Sequence, residues 1–402
     1  MKKSVIRKLD KKGLCIGCGL CEAICGAENV NMVLLKDGFY HPNIKSIRKE
    51  SELIIKNICP GLNIVNDIIF SKNERIWGKI ECLFTGFSTD TEIREKGSSG
   101  GIGSAIANYL IKKKIIDAAL QVGGNDSNYL NNTLRISKTR DDILKCASSR
   151  YAPALIFNRI FEFLKKKGGH YCFIGKPCDI SALKNLLKEF PQYRKKIVLT
   201  VGIMCAGMPS FNATDKLIND CNPATPIKAL KYRGDGWPGN FSFIDRNGKK
   251  FEISYQDSWG GVLGKHIHQR CKICPDAIGL QADIVIGDAW ETVDGYPNFS
   301  ERNGRSLIIV RTEKGLSFIN KMNKDKAIKI NSLPISKIKF MQPYQYKRRK
   351  YVGARVLAYT FAKGKILNFK NLLLSHNAIR ENSFSVFKEF IGSFKRFISK
   401  NY

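Results

Sequence analysis

The chain has 402 residues, 43% hydrophobic and 25% charged, a balance that supports two or three folded cores and excludes a disordered chain. Lys and Arg number 67 against 35 Asp and Glu, a formal charge of +32, which favours anionic cofactors, substrates or lipid; no nucleic-acid recognition motif accompanies it. No long apolar run is present and the start MKKSVIRKLDKKGLC lacks an apolar export stretch, so the expectation is a cytoplasmic protein that at most touches the inner membrane face.

In chain order, residues 1–70 read as a small cysteine-rich, ferredoxin-like module. CIGCGLCEAIC places Cys15, Cys18, Cys21 and Cys25 at spacings of two, two and three residues. Thiolates two residues apart on a tight loop face three corners of one iron–sulfur cube, while Gly17 and Gly19 let the backbone curl and offer N–H groups to the sulfurs. In bacterial-type ferredoxins the fourth cysteine of such a run serves another cluster, and each cluster borrows its fourth ligand from afar. The chain has no second run of this kind and offers Cys59-Pro60 instead. One [4Fe–4S] cluster is therefore assigned to Cys15, Cys18, Cys21 and Cys59, and Cys25, followed by Gly26 in place of proline, is left over. GFYHPNI (38–44) reads as an extended turn between the two parts of this ligand set.

Residues 71–190 and 191–340 alternate strand and helix patterns. GSSGGIGS (97–104) opens a helix over AIANYLIKKK; IIDAALQVGG and LRISKT read as strands, and ALIFNRIFEFLKKKGG as a helix stopped by glycine. HYCFIGKPCDISALKNLLKEF reads as strand, tight turn and helix, and KIVLTVGIMCAGMPS and ADIVIGDAW (282–290) as buried strands running into turns. The predicted fold class is α/β, a mainly parallel sheet with helices on both faces. Residues 341–402 form a basic helical tail whose last segment sets Phe384, Phe387, Phe390, Ile391, Phe394 and Ile398 on one face and basic residues on the other. Such a helix docks on the protein's own core or on a membrane surface.

Thirteen cysteines without an export signal point to metal or redox chemistry rather than disulfides. Cys178 lies where a strand turns into a helix, Cys205 ends a strand, and Cys271 and Cys274 form a CxxC before Pro275-Asp276. Strand ends gather sites in α/β sheets. Spacing alone leaves three readings open: an iron–sulfur site, a zinc site from Cys271, Cys274 and His266 or His268, and a plain buried pair. Gly97, Ser98, Ser99, Gly100 and Gly101 precede a helix and can offer N–H groups and hydroxyls to a phosphate, or serve simply as a turn. Cys82, Cys146, Cys172 and Cys221 lack ligand spacing and read as small buried hydrophobes.

Taken in order, CIGCGLC, CPG (59–61), GSSGG, SSRYAP (148–153), IGKPCDI, GIMCAG, RCKICPD (270–276) and ADIVIGDAW resemble the beta subunit family of coenzyme F420 hydrogenase/dehydrogenase. The resemblance implies an iron–sulfur flavoprotein oxidoreductase with FAD beside a [4Fe–4S] cluster, passing electrons between clusters and a hydride carrier. It implies a second cluster on Cys178, Cys205, Cys271 and Cys274, and FAD contacts from the GSSGG loop, Ser149 and Tyr151. Lys176 and Asp288 are the polar residues expected at the flavin. The carrier is coenzyme F420 in archaeal members; similar proteins accompany polysaccharide-synthesis enzymes. A redox partner protein or ferredoxin is the implied electron source. The rival reading is a relay subunit that carries clusters but no flavin.

Overall fold

The computed structural model describes residues 4–67, 70–71, 74–124, 130–364 and 366–399; the tail's last residues, 400–402, lie outside the described residues. The chain opens with α1 (Val5–Lys11), capped by the Ser4 hydroxyl, which accepts the Arg7 N–H. Gly17 and Gly19 sit at φ 67° and 81°, a left-handed curl that leads the cysteine run into α2 (Leu20–Cys25). The 38–44 segment is only partly a turn: β1 (Val30–Leu34) and β2 (Tyr40–Ile44) pair antiparallel as a hairpin. Burial of Val30, Met32 and Tyr40 on one face fixes its register. Next, α3 (Lys49–Ile58) buries Ile55 and Ile58 and delivers Cys59 at its end back to the cysteine run, before β3 (Asn63–Val65).

The body then runs β4 (Cys82–Ser88), α4 (Thr91–Lys96), α5 (Ile102–Lys112), β5 (Ala118–Gly124), β6 (Asn132–Ser137), α6 (Arg140–Cys146), β7 (Ala154–Leu155) and α7 (Ile160–Leu164). The helix expected over 154–169 is therefore only its second half. Ile156 and Phe157 are needed in the core, and the Phe157 N–H donates to the Cys18 carbonyl at 2.9 Å, which holds the chain extended there. The chain continues through β8 (Tyr171–Gly175), α8 (Pro177–Glu189), β9 (Ile197–Ile203) and α9 (Phe211–Asn219). A small antiparallel sheet comes next, β10 (Ala229–Lys231), β11 (Phe241–Ile244) and β12 (Lys250–Ile253), then α10 (Gln269–Lys272), β13 (Ile284–Asp288) and a ribbon of β14 (Thr292–Val293) and β15 (Tyr296–Pro297). Last in the body come β16 (Ser306–Val310), α11 (Glu313–Lys324) and β17 (Ile328–Ser332).

Nine strands form one sheet in the order β17-β4-β16-β13-β9-β8-β5-β6-β7. Its centre, β13-β9-β8-β5, is parallel as expected, and so is β6-β7; the pairings of β17, β4, β16 and β13 on one side and of β5 with β6 on the other are antiparallel. The short connection from β5 to β6 permits only an antiparallel neighbour, which sequence alternation alone did not reveal. The sheet is buried on both faces: Tyr171 and Phe173 of β8 face a core shared with α8, while Cys172 and Ile174 face one shared with α5.

The C-terminal segment consists of α12 (Ile338–Met341), α13 (Pro343–Lys363), β18 (Asn368–Lys370), α14 (Leu374–Ile379) and α15 (Ser383–Ile398). It is woven into the N-terminal module, since β18 pairs parallel with β3. On α13, the fully buried Arg349 donates to the carbonyl oxygens of Ile76 (3.0 Å), Pro275 (2.8 Å) and Leu372 (3.2 Å), so three distant loops hang on one side chain.

Candidate functional site

Cys15, Cys18, Cys21 and Cys59 surround one apolar cavity of about 30 Å³, walled by Ile6, Leu9, Ile16, Ile55 and Ile58 among others. Peptide N–H groups point at each sulfur: Gly17 at Cys15, Leu20 at Cys18, Glu22 at Cys21, and Gly61 and Leu62 at Cys59. Burial pushes all four thiols above their ordinary range, and neighbouring cysteines add to this for Cys15, Cys18 and Cys21. Four thiolates could share this cavity only with compensating positive charge among them, which an iron–sulfur cluster would supply. Cys25 stands outside the ring, half-buried beside the Ser51 side chain.

Cys178, Cys205, Cys271 and Cys274 come together from three elements. Cys178 lies in the first turn of α8, Cys205 follows β9, and Cys271 and Cys274 lie on and just after α10. Burial raises Cys205 to about 12, with Cys271 and Cys274 close enough to add, and Cys178 responds to both Cys205 and Cys274. Two cations face this ring. Lys176 pairs with Asp179 at 2.8 Å; burial works against its charge, but Asp179 and Cys178 outweigh burial and raise its pKa. Arg348, 2% exposed, donates to the carbonyl oxygens of Cys205 (3.1 Å) and Ala206 (2.7 Å). Between the two rings lies Arg270, adjacent to Cys271 in sequence, whose buried guanidinium donates to the carbonyl oxygens of Pro60 and Gly61, both at 3.2 Å.

For the zinc alternative, His268 Nδ1 accepts the Arg270 N–H at 3.1 Å and so caps α10, which leaves only Nε2 for a ligand, and burial lowers its pKa to about 4, which keeps the ring neutral. Among the described residues, no three His, Cys, Asp or Glu side chains converge where one metal ion would sit. A cubane, by contrast, spreads its four thiolates over four corners.

A larger cavity of about 270 Å³ lies against the second ring and shares Cys205 and Lys176 with it. Gly97, Ser98, Ser99 and Gly101 line it, as do Ser149, Tyr151 and Asp288, and the first residues of α5, Ile102, Gly103 and Ser104, open onto it. Gly100 does not line it. Its N–H donates to the Ser306 hydroxyl at 2.9 Å, and a Cβ there would stand 2.4 Å from the Gly86 carbonyl oxygen, so close packing of α5's start on the sheet explains this glycine. Gly101 is equally constrained, with φ 71° and the Ile93 carbonyl oxygen 2.6 Å from a Cβ. Ser99 spends its hydroxyl on the Arg305 carbonyl at 2.8 Å, and Ser98 accepts the Ser149 N–H, tying the two predicted loops together. The glycine loop is thus first a turn, and it presents the N-terminus of α5 to the cavity. Cys146, expected in the core, also lines the cavity.

The residue that organises this cavity is one that motif reading missed. Arg233 is 1% exposed and grips Asp288 with both terminal nitrogens, at 3.0 and 2.9 Å, while donating to Tyr151 Oη at 3.1 Å and the Pro238 carbonyl at 2.8 Å. Burial opposes its charge, but Asp288 outweighs that and raises its pKa. Trp237 Nε1 donates to the same carboxylate at 2.8 Å and stacks on Trp290 at 4.9 Å; Tyr255 and Trp259 close the wall. The signal was present in YRGDGWPG (232–239), a glycine-rich turn carrying an arginine and one of only four tryptophans.

Family models for the N-terminal and C-terminal parts of the coenzyme F420 hydrogenase/dehydrogenase beta subunit match residues 83–160 and 168–335. The chain belongs to that family. It is 26% identical over 255 residues to coenzyme F420 hydrogenase subunit beta of Methanococcus voltae, covering 61% of this chain and 82% of that one. It is 24% identical over 329 residues to an F(420)H(2) dehydrogenase subunit of Methanosarcina mazei, covering 80% and 86%. Against F420-dependent formate dehydrogenase 1 subunit beta of Methanococcus maripaludis it is 26% identical over 243 residues, 60% of this chain and 59% of that relative's length. The fold matches a chain in a structure of the F420-reducing [NiFe] hydrogenase complex from Methanosarcina barkeri, with a TM-score of 0.56 at 21% identity over 75% of this chain and 99% of that one. Membership places this chain among oxidoreductases whose named relatives are subunits of larger assemblies.

Proposed function

We propose that this family member is an iron–sulfur flavoprotein that exchanges electrons with a redox partner protein or ferredoxin and with a two-electron carrier, coenzyme F420 or another anionic acceptor. Cys15, Cys18, Cys21 and Cys59 would hold one [4Fe–4S] cluster, Cys178, Cys205, Cys271 and Cys274 a second, and the large cavity FAD. Bound there, these groups supply single-electron transfer and hydride exchange. The observation that carries the reading is that Cys205 belongs both to a sulfur ring and to the cavity wall.

The chain's own residues then have separable tasks. The free N–H groups at the start of α5 favour an anion such as a pyrophosphate. Arg233, fixed by Asp288 and Tyr151, holds a buried positive charge at the wall without freedom to swing away. Trp290, Tyr255 and Trp259 exclude water from that side. Lys176, between ring and cavity, offsets negative charge that collects at either. Glycine variants would collapse the turn and prove nothing, whereas Ser104→Asp, in the first turn of α5, favours the helix and repels a phosphate. Anaerobically purified wild type should carry about eight iron, about eight sulfide and one flavin. Ser104→Asp should lose most of its flavin while keeping its iron; a variant that retains flavin refutes the α5 cradle. Wild type that takes up no FAD on reconstitution returns the relay reading, and zinc without sulfide overturns the whole assignment.

A further inference from the structure

The segment beyond residue 335 lies outside both family matches, and its two long helices leave an apolar stripe uncovered. α15 meets α13 through a sector centred on Ser393 and Phe397, both buried, with the Phe397 ring against Tyr359 at 5.3 Å. On the outward side Phe384, Phe387 and Ile398 are 74%, 61% and 54% exposed. The stripe crosses to the neighbouring helix: Phe394 stacks on Phe390 at 6.1 Å, and Phe390 meets Phe361 of α13 edge-on at 5.9 Å. Phe361 and Leu357, one turn apart, are themselves exposed. Single apolar residues on a surface are ordinary, but a ring-to-ring run across two helices is not.

The charge around the stripe indicates what covers it. Residues 341–402 carry 13 Lys and Arg against two acidic residues. Both acids are already paired: Glu389 with Arg355 (3.0 Å) and Lys347 (3.9 Å), Glu381 with Arg75 (3.1 Å) and Lys350. Between Phe384 and Ile398 the exposed residues of α15 are the apolar ones, Gly392, Lys388, Lys395 and Arg396. By helical geometry Lys388 and Lys395 fall within about 40° of Phe384, so the amines border the apolar sector rather than oppose it. Lys363 extends the basic rim past Phe361, where the Lys12 amine donates to its carbonyl. Apart from its cations and the Ser383 hydroxyl at the start of α15, the exposed side chains of α15 from Ser383 to Ile398 are apolar, with no carboxylate among them.

We propose that this face of α13 and α15 docks on an anionic lipid membrane, with the phenylalanines at the acyl boundary and the lysines on headgroup phosphates. The contact is interfacial: among the described residues, no helix is long and apolar enough to cross a membrane. The same helices reach the first sulfur ring, because Tyr359 and Phe397 share a core with Leu9, Leu14, Cys15 and Cys59. Docking therefore puts that ring behind the lipid-facing ends of these helices.

The test is flotation of the anaerobically purified full chain with phosphatidylcholine vesicles, with and without phosphatidylglycerol. Wild type should float with the anionic vesicles, weakly with the neutral ones, and less as salt rises. Phe384→Ser with Phe387→Ser should cut binding about tenfold or more without moving the melting temperature, since both rings are exposed. Lys388→Glu with Lys395→Glu should abolish the preference for phosphatidylglycerol. Wild type that stays behind at low salt, or a double-phenylalanine variant that floats unchanged, overturns the proposal. So does light scattering that shows a wild-type dimer turned monomeric by the phenylalanine changes, which would make a second copy the occupant.

Discussion

The two sulfur rings each use four cysteine side chains and are assembled by opposite means. The first draws three of its cysteines from one loop, curled by Gly17 and Gly19, and receives N–H groups from that loop and from the Cys59 turn. Its walls are apolar, and one buried cation, Arg270, acts on it, through the charge it presents to Cys59 and its hydrogen bonds to the carbonyls of Pro60 and Gly61. The second is gathered from the ends of a sheet strand and two helices and faces two buried cations, Lys176 and Arg348. A locally built ring depends on loop geometry; a ring built by tertiary contacts depends on the whole sheet and can be surrounded by charge drawn from anywhere in the fold. The second ring should therefore accept an electron more readily than the first.

Deleting single sulfurs breaks the comparison most sharply. Cys178→Ser should remove about four of about eight iron and leave the first ring filled, and Cys59→Ser should do the reverse, since the rings share no ligand. Cys25→Ser should leave iron content near wild type because its thiol lies beside Ser51, outside either ring. Iron and sulfide analysis with electron paramagnetic resonance on each variant checks this; a Cys25→Ser protein that loses iron while Cys59→Ser keeps it reverses the assignment.

Charge near the second ring gives the next effect. Removing the buried cation beside the second ring in Arg348→Gln should lower the potential of a cluster held there on the order of 100 mV and shift one held in the first ring far less. A redox titration that moves both signals equally, or neither, rejects the contrast in charge.

The smallest effect concerns a brace in the first module. His41 sits between Asp10 at 2.7 Å and Asp37 at 2.8 Å, and the Asp10 hydrogen bond, working against burial, raises its pKa to about 9. A raised pKa means that the charged imidazole stabilises the fold fully below its unfolded value of about 6.5, a contribution lost as pH rises through about 9. The linkage is worth at most about 3 kcal/mol, and less where the exposed Asp37 is screened by water. His41→Asn should thus destabilise the protein at about pH 6 and far less near pH 10, as read by melting temperature; a pH-independent difference would show that His41 acts by packing alone.

How much of this was legible in the residues varies with the distance over which each feature is made. The CxxCxxC spacing, the strand-to-helix turn at Cys178 and the start of α5 are set by neighbours a few residues away, and they were readable as motifs because local geometry is a function of local sequence. GSSGG was readable as a turn but not as to which of its glycines face the cavity, because the constraint on Gly100 comes from Gly86 and Ser306 across the fold. The antiparallel flanks of the sheet, the shortened α7 and the outward turn of the stripe on α15 escaped for the same reason: each is chosen by what the element packs against. Arg233 is the clearest instance. Its glycine-rich segment marks a turn but not a buried arginine, which is tolerable only because Asp288 arrives from a strand 55 residues away to pair with it. Periodicity, spacing and composition are local quantities, and they were enough to specify the cysteine-rich loop, the α/β alternation and the basic tail. Burial and charge pairing are settled between distant segments. Folding in three dimensions was therefore needed to bring four scattered cysteines into one ring, to give that ring a wall in common with the large cavity, and to leave one side of the last helix bare.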